Sequence, residues 1–125
     1  MAQHGFFHWN ELLCGDVDAA KAFYGETLGW SFTAMPMKQG NYWIASIGAA
    51  PVAGLMDIAA TNLPSGSDPF WMSYIAVDDV DGRVTKVEPA GGKVLHEVFE
   101  VPGVGRIALI EDASGAMIGW ITPAS

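Results

Sequence analysis

Cationic residues are scarce in this sequence. Six Lys and Arg stand against fourteen Asp and Glu in 125 residues, for a formal net charge of −8. The charge is spread along the chain with no acidic block, and it argues against a nucleic-acid backbone as partner, because that contact is made with Lys and Arg. It would attract a cationic small molecule if carboxylates gathered near a cleft. Cysteine is scarcer still: Cys14 is alone, so no intrachain disulfide can form and the thiol suits a reducing compartment. No apolar run approaches the roughly 18 residues of a membrane span. The opening Met1-Ala2-Gln3-His4-Gly5 has no positive n-region of a secretory leader. A soluble cytoplasmic protein is the expectation. Nucleophile motifs are missing as well, since Ser46, Ser65, Ser67 and Ser73 sit in no Gly-x-Ser-x-Gly elbow. Gly103-Val104-Gly105 lacks the third glycine and the strand-to-helix setting of a dinucleotide loop, and reads as a hairpin turn.

What is present is a composition of 50% hydrophobic and 16% charged residues, that of one compact domain long enough to bury a core. It also holds an internal repeat. Asp16-Val17-Asp18 recurs 63 residues later as Asp79-Val80-Asp81, and the same offset pairs Phe7 with Phe70, Gly29 with Gly92, Gly40 with Gly103, Ile44 with Ile107, Ala45 with Ala108 and Ile47 with Ile110. Identities held at one register across most of a half-chain indicate two copies of one supersecondary unit.

In the first copy, Phe6 to Leu13 reads as a strand, and Asp16 or Asp18 offers a cap for a helix carrying Ala19, Ala20, Ala22, Phe23 and Leu28, stopped at Gly29. Strands follow from Gly29 to Thr33, Asn41 to Ile47 and Val52 to Asp57. The second copy repeats this with Trp71 to Val77, a helix from Val80 to about Glu88, then Lys93 to Leu95, Arg106 to Glu111 and Ala116 to Thr122. Residues 4–60 and 70–123 are the expected modules, and 61–69, rich in Pro, Ser and Gly, is the expected linker. Each module is βαβββ.

The paired modules, the stretch Gly15-Asp16-Val17-Asp18-Ala19-Ala20-Lys21-Ala22-Phe23-Tyr24 leading to Leu28-Gly29-Trp30, and the later Glu111-Asp112-Ala113-Ser114-Gly115 resemble the vicinal oxygen chelate superfamily. It holds glyoxalase I, extradiol dioxygenases, fosfomycin-resistance enzymes and bleomycin-resistance binding proteins. Trp9-Asn10-Glu11-Leu12 and Tyr74-Ile75-Ala76-Val77-Asp78-Asp79-Val80 look most similar to a glyoxalase-like subgroup. The resemblance implies an α+β fold, two βαβββ modules forming a curved eight-stranded cup with a helix outside each, and a homodimer. In the metal-dependent members each module gives one ligand from its first strand and one from its last. Carried over residue by residue, those positions are Trp9, Met72, Gly119 and about Gly54. Such side chains make no hard-metal site, which needs imidazole nitrogen and carboxylate oxygen.

Period-two alternation puts Trp9 and Glu11 on one strand face, and His8 on the other with Phe6 and Leu12. His8 therefore reads as a packed or surface histidine, and His4 and His96 have no acidic or Cys partner at ligand spacing. Glu11 reads either as a general base or anchor for a cationic group, or as a structural salt bridge to Arg106 or Arg83 or a solvated strand end. Five tryptophans on a chain this short supply flat faces for planar or cationic ligands. The expected ligand-binding cavity comprises Trp9, Glu11, Trp43, Gly54, Met72, Tyr74 and Gly119, with no metal cofactor, and its function is to hold a small hydrophobic, aromatic or cationic molecule. The alternative is a metal-dependent lyase, isomerase or dioxygenase with displaced ligands drawn from Glu11, His8, His96 and Glu111.

Overall fold

A computed structural model describes residues 4–37, 40–60, 68–101 and 103–124. In chain order the elements are β1 (Phe7–Cys14), α1 (Val17–Leu28), β2 (Ser31–Met37), β3 (Gly40–Ile47), β4 (Ala50–Asp57), a single 3-10 turn at Ile58–Ala60, β5 (Phe70–Ala76), α2 (Val80–Val84), β6 (Lys93–Val101), β7 (Gly105–Glu111) and β8 (Met117–Pro123). The fold is α+β, and its eight strands and two helices form the two βαβββ modules expected. Most of the expected linker lies outside the described residues, which resume at Asp68.

The chain divides into two compact units. In Trp9–Trp71 the strand order is β2-β3-β4-β1, with β1 parallel to β4 and the remaining pairs antiparallel. Helix α1 begins where the Asp16 carboxylate accepts the Ala19 N–H at 3.0 Å, an N-cap. It ends at Gly29, whose φ of 76° is the left-handed conformation that glycine adopts without a Cβ penalty. Val17, Ala20 and Tyr24 share one helical face and pack, with Trp30, Phe32 and Trp43, on a buried cluster of Leu12, Cys14, Ala45, Ala53 and Leu55. Tyr24 stacks on Trp30 with ring centroids 5.0 Å apart, and Trp71 meets both edge-on.

The second unit gathers the chain up to His8 and from Met72 onward. Its strand order is β5-β8-β7-β6, with β5 parallel to β8, the same plan as the first. The segment ahead of β1 joins it: Gly5 N–H donates to the Ala76 carbonyl at 2.7 Å, and Ala76 N–H to the Phe6 carbonyl at 2.9 Å. Asp79 caps α2 through Gly82 N–H at 3.2 Å. The Thr122 hydroxyl accepts from Val80 N–H and donates to the Val77 carbonyl, both at 2.9 Å, tying β8 to the start of that helix.

Strand β2 runs on to Met37 where Gly29 to Thr33 was expected, and two elements of the second unit depart further. Helix α2 stops at Val84, well short of Glu88, and the backbone continues as tight turns in which Lys86 and Val87 reach back three residues. Three features weaken its helical continuation. Gly82 is a poor helix former, the Thr85 hydroxyl competes by bonding the Gly82 carbonyl at 2.7 Å, and Pro89 restricts Glu88. Strand β6 runs on to Val101 where only Lys93 to Leu95 was expected. Its pairing with β7 shifts between Val94 and His96 and again between His96 and Phe99, and such bulges erase the alternation by which a strand is read.

Exposed ion pairs finish this unit. Arg83 holds Asp78 in a fork at 2.9 and 3.0 Å, and Arg106 holds Asp81 likewise at 2.8 Å on both arms. The hydrogen bonds from Arg83 bring the Asp78 carboxyl from its ordinary 3.8 down to about 2. A carboxyl whose value is lowered on folding stabilises the fold above its unfolded value and loses that contribution as pH falls toward its folded one. In Asp78→Asn the urea midpoint should therefore lie below wild type at neutral pH, with the gap narrowing as pH falls from about 4 to 2. Asp16→Ala, which removes the cap of α1, should cost about 1 kcal/mol in the same assay.

Candidate functional site

Strand β1 has two faces, and the packing of one identifies the other. Leu12 and Cys14 lie in the core under α1, so Trp9, Glu11 and Leu13 face away from that helix. On β3, Trp43 and Ala45 belong to the helix side, which sends Tyr42 to the face of Trp9 and Glu11. There the Trp9 Nε1–H donates to the Tyr42 hydroxyl at 2.7 Å. The hydroxyl in turn bonds the Glu11 carboxylate, making a chain from indole to phenol to carboxylate. Glu11 is only 8% exposed, the one buried charged side chain among the described residues.

The electrostatics fix the direction of that chain. Burial pushes the Tyr42 phenol far above its ordinary value, and the charge of Glu11 pushes it further. The Trp9 donor pulls the other way and is outweighed, while the hydrogen bond to Glu11 adds to the rise. The phenol therefore keeps its proton and presents it to the carboxylate. Cys14 is also held protonated, by burial first and then by the charge of Asp57, so it is no nucleophile.

Gly54 makes the arrangement possible. It is the partner of Glu11 across the parallel β1–β4 pair and of Ile44 across β3–β4, which puts Tyr42 on its diagonal. A Cβ at position 54 would overlap the Tyr42 hydroxyl and ring. In the second unit, Gly119 is the register partner of Tyr74, and a Cβ there would run into the Tyr74 ring. Each unit thus lays a tyrosine over the glycine of its last strand. One reaches it from the third strand, the other from the first.

Of the expected cavity residues, Trp9, Glu11 and Gly54 gather in the first unit. Met72 and Tyr74, 1% and 8% exposed, share one face of β5 beside Gly119 in the second. Trp43 stands apart from Trp9: it faces α1, and the Lys21 ammonium sits 3.2 Å above its ring, a cation–π contact on the helix side. Tyr42 was missed. Its signal was parity, since β3 alternates and the small Ala45 had to lie under a helix. Among the other candidates, His8 is exposed, and His96 is engaged with the Glu97 carbonyl at 2.7 Å and with the edge of Phe99. Arg83 and Arg106, the two arginines named above, hold Asp78 and Asp81. A cleft of about 530 Å³ on the helix side of the second unit includes Glu111 and Trp120 in its walls but none of the seven expected cavity residues.

None of the four positions that the resemblance marks, Trp9, Gly54, Met72 and Gly119, carries an imidazole nitrogen or a carboxylate oxygen. Indole offers no free lone pair, glycine offers no side chain, and both glycine positions are covered by tyrosines. Among the described residues no group of three or more His, Cys, Asp or Glu could hold a metal ion. Among them, too, no helix is long and apolar enough to cross a membrane.

Comparison with known proteins agrees with this architecture. Residues 6–119 match the Glyoxalase/Bleomycin resistance protein/Dioxygenase superfamily, and the chain belongs to it. CFP32 of Mycobacterium tuberculosis, named provisionally as a glyoxylase, is 37% identical over 119 residues, covering 94% of this chain and 45% of its own. The anthracycline biosynthesis protein DnrV of Streptomyces peucetius is 32% identical over 119 residues, with 86% and 43% covered. The chain thus spans about half the length of these relatives. The crystal structure of methylmalonyl-CoA epimerase from M. tuberculosis superposes with a TM-score of 0.67 at 20% identity, covering 100% of this chain and 93% of that one, which is a likeness of fold.

If Tyr42 fills the space that Gly54 leaves, the two positions must be coupled. Gly54→Ala should cost about 1–3 kcal/mol in urea unfolding, because it displaces a hydroxyl bonded on both sides. In a Tyr42→Ala background the same change should cost less than about 0.5 kcal/mol; additive penalties would contradict the geometry.

Proposed function

We propose that the protein binds a small planar, apolar or cationic molecule against the Trp9 face and does so without a resident divalent ion. The observation that carries this reading is the Trp9–Tyr42–Glu11 chain, standing where metal-dependent members of the superfamily place a ligand of the ion. In place of a hard-cation donor set, the first unit offers a half-buried indole, a neutral phenol and a buried carboxylate. Tryptophan and tyrosine give rigid flat area with little rotamer entropy to lose, and a few placed polar groups on apolar walls are what small-molecule sites use. A relative named for anthracycline biosynthesis is in keeping with a polycyclic aromatic ligand. The reading is one of binding, and the general-base reading of Glu11 stands beside it. The reading includes a cytoplasmic homodimer, with modules 4–60 and 70–123 as the halves of each chain.

Titration with a planar anthraquinone, followed by tryptophan quenching, should saturate at one molecule per chain. Trp9→Ala should weaken binding about tenfold or more, the order of a lost stacking contact. Undiminished binding in that variant would sink the reading. So would one equivalent of Mn, Ni, Zn or Fe held through Glu11 in protein purified without chelator.

A further inference from the structure

The helix side of the second sheet is covered differently from that of the first, and the difference shapes a cleft. At the 63-residue offset, Val87 stands where the first unit has Tyr24, one of the rings that close its helix side. An isopropyl group replaces a phenol there, and α2 has already stopped at Val84. The result is the cleft of about 530 Å³, lined by residues of the second unit alone. Its floor is the helix-side face of the sheet. Ile75, Val77 and Trp120 belong to the cluster that packs on Val80 and Val84 of α2, and Ile110 shares the parity of Ala108 on β7. Val87 and Ala90 form one bank. A volume of several hundred Å³ with apolar walls and few polar groups is what a small molecule needs.

The charges at the edge of this cleft are not balanced. Arg83 and Lys86 stand on the α2 side, with Glu111 and Asp112 opposite. Glu111 follows Ile110 and pairs with Met117, so strand alternation turns its carboxylate to the other face of the sheet. The Asp112 Oδ1 accepts from the Ser114 hydroxyl at 2.6 Å and from the Ser114 and Ala116 N–H groups at 2.9 and 3.0 Å, which holds that charge within its own turn. His4 also borders the cleft, and its Nδ1 accepts the Asp78 N–H at 3.0 Å. Arg83 is engaged by the Asp78 carboxylate through Nε and Nη2. Lys86 has no ion pair among the described residues. The net charge offered to a ligand is therefore positive, and it comes from Lys86.

We propose that this cleft is a second ligand site, which takes a free apolar carboxylate with its hydrocarbon body on Trp120 and Ile110 and its head group on Lys86. Ammonium and carboxylate make a charge-assisted hydrogen bond, and the lysine stem follows apolar surface while its head stays at the rim. The site is independent of the Trp9 face, whose residues belong to the first unit. The chain's net charge of −8 attracts cations at long range, so a preference for an anion has to come from the cleft itself.

Three aliphatic probes of one length test this: decanoate, decan-1-ol and decylammonium, each kept monomeric and titrated by calorimetry and by amide NMR spectra at about pH 7.5 and physiological salt. Decanoate should saturate at one molecule per chain and bind at least about tenfold tighter than decylammonium, which is about 1.4 kcal/mol. The amides that move should include Val87, Ala90 and Gly92. Lys86→Glu should weaken decanoate about tenfold or more and leave decan-1-ol within about twofold, a split that a general loosening of the fold would not produce. Lys21→Gln removes one positive charge from the other unit and should leave the preference intact. Ala90→Trp, at an exposed position on the bank, should weaken all three probes by filling the cleft. Decylammonium binding as tightly as decanoate overturns the proposal, as does failure of decanoate to bind. So do decanoate binding undiminished in Lys86→Glu or in Ala90→Trp, equal loss in Lys21→Gln, and amide shifts confined to Trp9–Trp71. The wild-type comparison and the amide shifts need no variant, so the proposal stays open to refutation even if a substitution fails to fold.

Discussion

A strand has two faces, and β1 must satisfy a different demand on each. Leu12 and Cys14 anchor the core beneath α1, while one residue away Glu11 sits buried on the other side and needs hydrogen-bond donors. A slip of one residue would exchange them, placing a carboxylate under an apolar helix and a leucine beside Tyr42. The rest of the first unit is arranged around preventing that exchange. The parallel pairing with β4 fixes Glu11 opposite Gly54, and that glycine opens the space from which the tyrosine serves the carboxylate. Register, cavity and hydrogen-bond chain are one constraint seen three ways.

The two modules show how far a shared plan tolerates local change. Both begin with an Asp cap at the helix start, and both pair their first strand with their last. They differ in the helix. Twelve residues of α1, with Val17, Ala20 and Tyr24 on the packed side and a glycine stop, cover the first sheet. Five residues of α2, with a glycine in the third position, leave the helix side of the second sheet with a broad cleft instead. Over the last-strand glycines, too, the solutions converge on a tyrosine from different strands. The shared element is the vacancy at glycine, filled from whichever neighbour can reach.

Much of the architecture was legible from residues alone. The 63-residue offset carried the two modules, because identities at one register report a repeated packing problem, and Asp16, Gly29 and Asp79 marked helix ends through local chemistry. What failed was length in α2 and β6, where hydroxyl competition and bulges act on hydrogen bonds and leave no trace in hydrophobic spacing. At the site, counting along a known pattern pointed to Trp9 and Gly54, and strand alternation put Glu11 on the face of Trp9. Trp43 could not be placed this way, since a tryptophan reads the same on either face of a strand and only its neighbour Ala45, pressed under α1, settles the choice. Tyr42 followed from that choice and was lost with it.

The segment His4–His8 carries a consequence for how the molecule is made. Gly5 and Phe6 form backbone bonds to Ala76, and Val80 is tied to Thr122 near the far end of the chain. The pairings of β1 with β4, β2 with β3 and β3 with β4 can all form once residue 57 has been made, whereas the bonds of Gly5 and Phe6 wait for Ala76. Such long-range closure is slow to form, because loop entropy must be overcome before the contacts reward it. The exposed Phe6 and Phe7, each more than 60% accessible even in the finished fold, would meanwhile wait in solvent. The first unit's sheet would thus form before the segment ahead of it finds its partner in β5.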